Sequence, residues 1–71
     1  MPSQLRAEMV ASVWKVVAPA GTAVRGGEPV VILESMKMEI PVLADHDGTV
    51  AEMHVAEGDV VHEGDILAVI S

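Results

Sequence analysis

The 71-residue chain contains no cysteine, no phenylalanine and no tyrosine, and Trp14 is its single aromatic residue. Without cysteine there are no disulfide staples, thiolate metal ligands or cysteine nucleophiles. Positive charge is also scarce: four basic side chains face eleven acidic ones, and the formal charge of −7 at pH 7 repels phosphate backbones and anionic membranes. No apolar run approaches the roughly 18 residues that span a bilayer. The opening Met1-Pro2-Ser3-Gln4-Leu5-Arg6 lacks the apolar stretch of a signal peptide. The expectation is a cytoplasmic protein with no nucleic-acid or membrane partner.

Metal and catalytic patterns are missing as well. His46, His54 and His62 lack paired ligand spacing, and Asp45-His46-Asp47-Gly48 fails as a calcium loop because Leu43 and His54 stand where Asp and Glu are needed. Ser12, Ser35 and Ser71 lie in no nucleophile-elbow pattern. A domain this small has little room for a substrate pocket of about 300 Å³ or more. The expectation is no metal site and no catalytic residue.

What the chain does have is valine. Hydrophobic residues make up 51% of it, in short runs between glycine or proline: Val13–Val17, Pro29–Leu33, Gly48–Val50 and Ile66–Ile70. Beta-branched residues in short punctuated runs predict strands, and no segment sustains helical apolar spacing. The Asp47-Gly48 pair reads as a hairpin turn. Shifting the chain by 37 positions lays Gly21 on Gly58, Val24 on Val61, Gly27 on Gly64, Glu28 on Asp65, and Val30–Leu33 on Leu67–Ile70. These matches fall on turn glycines, which favour positive φ, and on the strands after them, so they indicate an internal duplication. Two such halves packed face to face about an approximate two-fold give an all-β flattened barrel or sandwich. Residues 8–71 are expected to form the domain, with residues 1–7 a flexible segment ahead of it.

The duplication draws attention to Lys37. The strand ending the second copy stops at Ser71, whereas its counterpart runs on into Glu34-Ser35-Met36-Lys37-Met38-Glu39, which predicts a hairpin with Lys37 at one pole and the C-terminus at the other. Methionine is flexible and polarizable, which suits Met36 and Met38 either to recognition by another protein or to filling the core. An ordinary lysine amine is neutral in only about one molecule in a thousand near pH 7, and its activation takes burial or nearby positive charge. Glu34 and Glu39 supply the opposite. A tip lysine that cannot activate itself reads as an acceptor for covalent modification.

Glu34-Ser35-Met36-Lys37-Met38-Glu39, with its flanking glycine-acid turns, resembles the biotinyl domain of biotin-dependent carboxylases, over about Glu8 to Ser71. Lipoyl domains, the sister group, usually carry Asp-Lys-Ala instead. The resemblance implies two four-stranded antiparallel sheets with the lysine at a hairpin tip. It implies biotin joined to Lys37 by a biotin protein ligase, with Met36 and Met38 as the recognition pair and Glu34 and Ser35 completing the site. It also implies a non-catalytic carrier serving biotin carboxylase and carboxyltransferase in trans, as part of an acyl-CoA or similar carboxylase. Ser35 replaces the usual alanine, Glu8-Met9-Val10-Ala11 stands where Pro-Met-Pro-Gly is common, and no thumb insertion follows Ala18-Pro19-Ala20. A storage role, a lipoyl carrier and an unmodified adaptor domain are the other readings.

Overall fold

In the computed structural model, which describes residues 2–71, eight strands follow one another without a helix: β1 (Ser3–Arg6), β2 (Ala11–Val16), β3 (Ala23–Val24), β4 (Pro29–Ser35), β5 (Met38–Leu43), β6 (Gly48–Met53), β7 (Val60–Val61) and β8 (Ile66–Ile70). They form two four-stranded antiparallel sheets, ordered β1-β8-β6-β3 and β5-β4-β2-β7. Adding 37 to a residue number carries β2 onto β6, β3 onto β7 and β4 onto β8, and carries β1 onto β5. One sheet order maps onto the other.

The duplication extends to single hydrogen bonds. The Gly21 N–H donates to the Val50 carbonyl at 2.8 Å and the Gly58 N–H to the Val13 carbonyl at 2.9 Å. In the same way Gly27 donates to Ala44 and Gly64 to Ala7, each at 2.8 Å. These four glycines have φ between 90° and 94°, a conformation that a side chain would strain. Their recurrence at the 37-residue offset turns the sequence match into a backbone one.

The halves do not stack as two separate layers, as the sequence pattern suggested. Each sheet takes its two central strands from one half and both edge strands from the other. Two-residue strands such as β3 and β7 cannot make a stable sheet of their own and gain their ladder partners by crossing over. Residues 3 to 6, expected ahead of the domain, are instead the edge strand β1, where Ser3 pairs with Ile70 and Leu5 with Ala68. Leu5 is buried, which gives the segment a reason to dock. Met1, the start of that segment, lies outside the described residues.

Between the sheets lies a core in which, among the described residues, no polar side chain is buried and Val30, Val31, Val50, Leu67, Ala68 and Ile70 are wholly inaccessible. Buried positions correspond across the offset, Val13 with Val50 and Leu33 with Ile70 among them. Aliphatic side chains of similar volume meet at the centre, so the interior needs no aromatic.

Gly48 is not a hairpin residue. β5 and β6, on either side of Asp47-Gly48, belong to different sheets, so this segment is a crossover. Glycine is required there because a Cβ would stand 2.2 Å from the Ser71 carbonyl oxygen.

Candidate functional site

The β4–β5 hairpin projects from the sheet and closes in a two-residue turn. The ladder runs from Leu33–Ile40 through Glu34–Glu39 to Ser35–Met38, leaving Met36 and Lys37 as the turn residues. Their φ values, 53° and 66°, are both left-handed, the requirement of a type I′ turn, whose twist matches that of the strands it joins. Asparagine and glycine adopt this backbone readily, whereas methionine and lysine do so at a cost of about 1–3 kcal/mol each. Inward-facing Leu33 and partly buried Ile40 tie the hairpin base to the core and hold the tip in place.

The exposed tip concentrates the sequence-predicted residues. Met36 is 92% exposed and Met38 65%, so neither fills the core. Lys37 is exposed, and among the described residues its ammonium makes no ion pair and no side-chain hydrogen bond. Glu34 and Glu39 stand directly opposite each other across the hairpin, one pair back from the turn. The two-residue turn sets them facing one another, a register that could be read from the motif only once the turn length was known.

Among the described residues no histidine or carboxylate is hydrogen-bonded to the lysine. His46 lies 2.8 Å from the Asp45 carboxylate, His54 2.8 Å from Glu52, and His62 3.9 Å from Asp65, each histidine in a connection outside the β4–β5 hairpin. The Asp45-His46-Asp47 segment belongs with the chain ends: the Ser3 hydroxyl donates to Asp45 at 2.7 Å, and His46 Nε2 lies 3.3 Å from the Ser71 carbonyl. It also abuts Gly26, just ahead of β4, so the termini gather at the base of the hairpin and Lys37 occupies its far end. What the tip offers chemically is an unhindered primary amine able to form an amide when an acyl donor and a base come from elsewhere.

A family model described as "Biotin-requiring enzyme" matches residues 1–70. The chain belongs to the biotin/lipoyl attachment family. It is 52% identical to the biotinylated protein TB7.3 homolog of Mycobacterium leprae over the whole of both chains. Identity to the biotin/lipoyl attachment protein of Bacillus subtilis is 50%, covering 90% of this chain and 88% of that one. Among solved structures, the urea carboxylase of Kluyveromyces lactis superposes with a TM-score of 0.93 at 38% identity, covering all of this chain and 6% of the enzyme. The all-β, two-sheet architecture of this biotin/lipoyl domain agrees with the fold expected from the residues. So does the placement of the motif lysine at a hairpin tip.

Proposed function

We propose that the protein is a biotin carrier in which the Lys37 amine holds biotin through an amide. It would move carboxylate between the biotin carboxylase and carboxyltransferase sites of a biotin-dependent acyl-CoA carboxylase in the cytoplasm. One observation carries the reading: a lysine with no ion-pair or side-chain hydrogen-bond partner among the described residues, flanked by two exposed methionines, sits in a two-residue turn of a chain that its family model matches over residues 1–70.

Lys37 Nζ would be the nucleophile toward an adenylated biotin supplied by a biotin protein ligase. The N–C bond forms, AMP leaves, and the amine proton passes to a base of the ligase. Attached biotin supplies a site that accepts and gives up carboxylate. The chain's own part is presentation: the turn holds the attachment point clear of the sheet, and Met36 and Met38 offer adaptable apolar contacts beside it. Tethering lets one group meet two active sites at high effective concentration. Glu34 and Ser35 complete the recognition surface, with Ser35 small enough to leave the turn open.

Intact mass of the protein purified from its own host, with peptide mapping of Lys15 and Lys37, tests this. Biotin on Lys37 alone is expected. A lipoyl group, or an unmodified Lys37 that active ligase also refuses, would overturn it.

A further inference from the structure

The internal duplication provides its own control for surface chemistry. Positions 37 apart occupy equivalent places in the two sheets, so the backbone makes the same demands at both. The outward faces nevertheless differ. Among the described residues, every exposed large apolar residue except Met9, which stands two residues ahead of β2, lies on or directly beside a strand of the β5-β4-β2-β7 sheet or in its hairpin turn. Trp14, the extra residue of a bulge in β2, is 48% exposed, and Val60 is 65% exposed. Their equivalents on the other sheet are Ala51 and Ala23, while Pro41 and Leu43 correspond to Gln4 and Arg6. The fold is therefore satisfied by small or polar residues at these places, and the apolar surface on one sheet has another cause.

That face is continuous with the Lys37 hairpin. The pairing registers align Val60, Ser12, Glu34 and Glu39 in a row across the four strands, immediately behind the Ser35–Met38 pair. Ile32 lies three residues behind Ser35, about 10 Å at strand rise, and pairs with Pro41 and with Lys15 beside Trp14. Glu34 and Glu39 face each other with no ion-pair partner among the described residues. A like-charged cross-strand pair costs stability in the free protein and is compensated when a partner brings a cation.

We propose that the outward face of the β5-β4-β2-β7 sheet, centred on Trp14 and Val60, is the docking surface for the biotin carboxylase that loads the carried group. The matching enzyme surface is apolar at its centre and cationic where it meets Glu34 and Glu39. This rests on the carrier reading above. Ligation engages the tip, Nζ with Met36 and Met38 beside it, which the turn presents in the open. Loading a group at the end of an arm requires the enzyme to close around the turn in every cycle, and this face adjoins the turn. Exposed tryptophan is the side chain most often found to dominate such contacts.

The test uses the full chain, biotinylated to completion as verified by mass, with ATP, bicarbonate and biotin carboxylase purified from the same host free of its own carrier. Trp14→Ala and Val60→Ser are each expected to raise KM, Trp14→Ala by about tenfold, with kcat within about twofold. Ala51→Ser, at the place equivalent to Trp14 on the other sheet, should leave both constants unchanged, and all three variants should be ligated at the unsubstituted rate. Higher salt should raise the KM of the unsubstituted carrier. If that carrier surpasses free biotin but the variants match it, the docking surface is wrong and the carrier reading stands. Slower ligation with unchanged carboxylation would assign the face to the ligase and overturn the proposal. An unsubstituted carrier no better than free biotin would overturn both.

Discussion

Met36 is strained where it stands. Its φ of 53° lies in the left-handed region, and its side chain, 92% exposed, gains almost nothing from burial in return. Met36→Asn should therefore raise stability, by about 0.5–1 kcal/mol in urea titration, because asparagine tolerates this conformation. The same substitution removes an apolar contact beside the acceptor amine, so biotinylation by ligase should slow. A destabilised variant, or one ligated at the unsubstituted rate, would contradict this account of the residue. Gly48 shows the opposite economy. A Cβ there would lie 2.2 Å from the backbone carbonyl of Ser71, with no flexible side-chain end to yield, so Gly48→Ala should destabilise by about 2 kcal/mol or more. Gly26 lies in the same corner with a milder contact of 3.4 Å to the His46 Cα, and alanine there should cost less.

Among the elements, β1 depends on a polar clasp at its start as well as on buried Leu5. The Ser3 hydroxyl donates to the Asp45 carboxylate, and this bond, more than the nearby His46, holds the Asp45 carboxyl below its ordinary 3.8. A carboxylate with a lowered folded value adds stability that is fully present above its unfolded value and is lost as pH falls through the folded one. Below pH 3.8 the protein should thus weaken as Asp45 becomes protonated. Ser3→Ala should lower the melting temperature slightly near pH 7, where the clasp is fully present, and change little in acid, so that this part of the profile flattens. A profile unaltered by Ser3→Ala would show that the clasp contributes nothing. This strand also marks how far the sequence could be read. Ile66–Ile70 is a continuous apolar run and matches β8 residue for residue, and Val13–Val17 and Pro29–Leu33 fall within a residue or two of β2 and β4. Ser3–Arg6 carries one apolar residue in four and forms a strand only because β8 offers an edge, which no local pattern records. The Asp47-Gly48 pair misled because close approach to a distant carbonyl, like a tight turn, selects glycine. The Lys37 tip was legible because the strand that ends at Ser71 in the second copy runs on, in the first, into Glu34–Glu39. The apolar face behind it emerges only when the two copies are compared position by position.

At the scale of the whole molecule, the exchange of edge strands decides how the domain can come apart. Each half of the chain supplies the centre of one sheet and both edges of the other, so neither half holds a complete layer. Residues 2–35 alone would keep the β2–β4 pair, but β1 would lose β8 and β3 would lose β6. Residues 38–71 would keep β6–β8 and strand β5 and β7 without partners. A two-stranded remnant with an uncovered valine face is marginal at best in water. Each peptide should therefore be disordered by far-UV circular dichroism when alone. Mixed in equal amounts they should regain the β-sheet spectrum, since the missing turn contributes connectivity and no core contact. The midpoint of that recovery should depend on concentration, as a folded state built from two chains requires. A half that folded alone would mean that the duplicated unit is an independent module, and the interleaved topology would then have to follow folding of the halves instead of creating it.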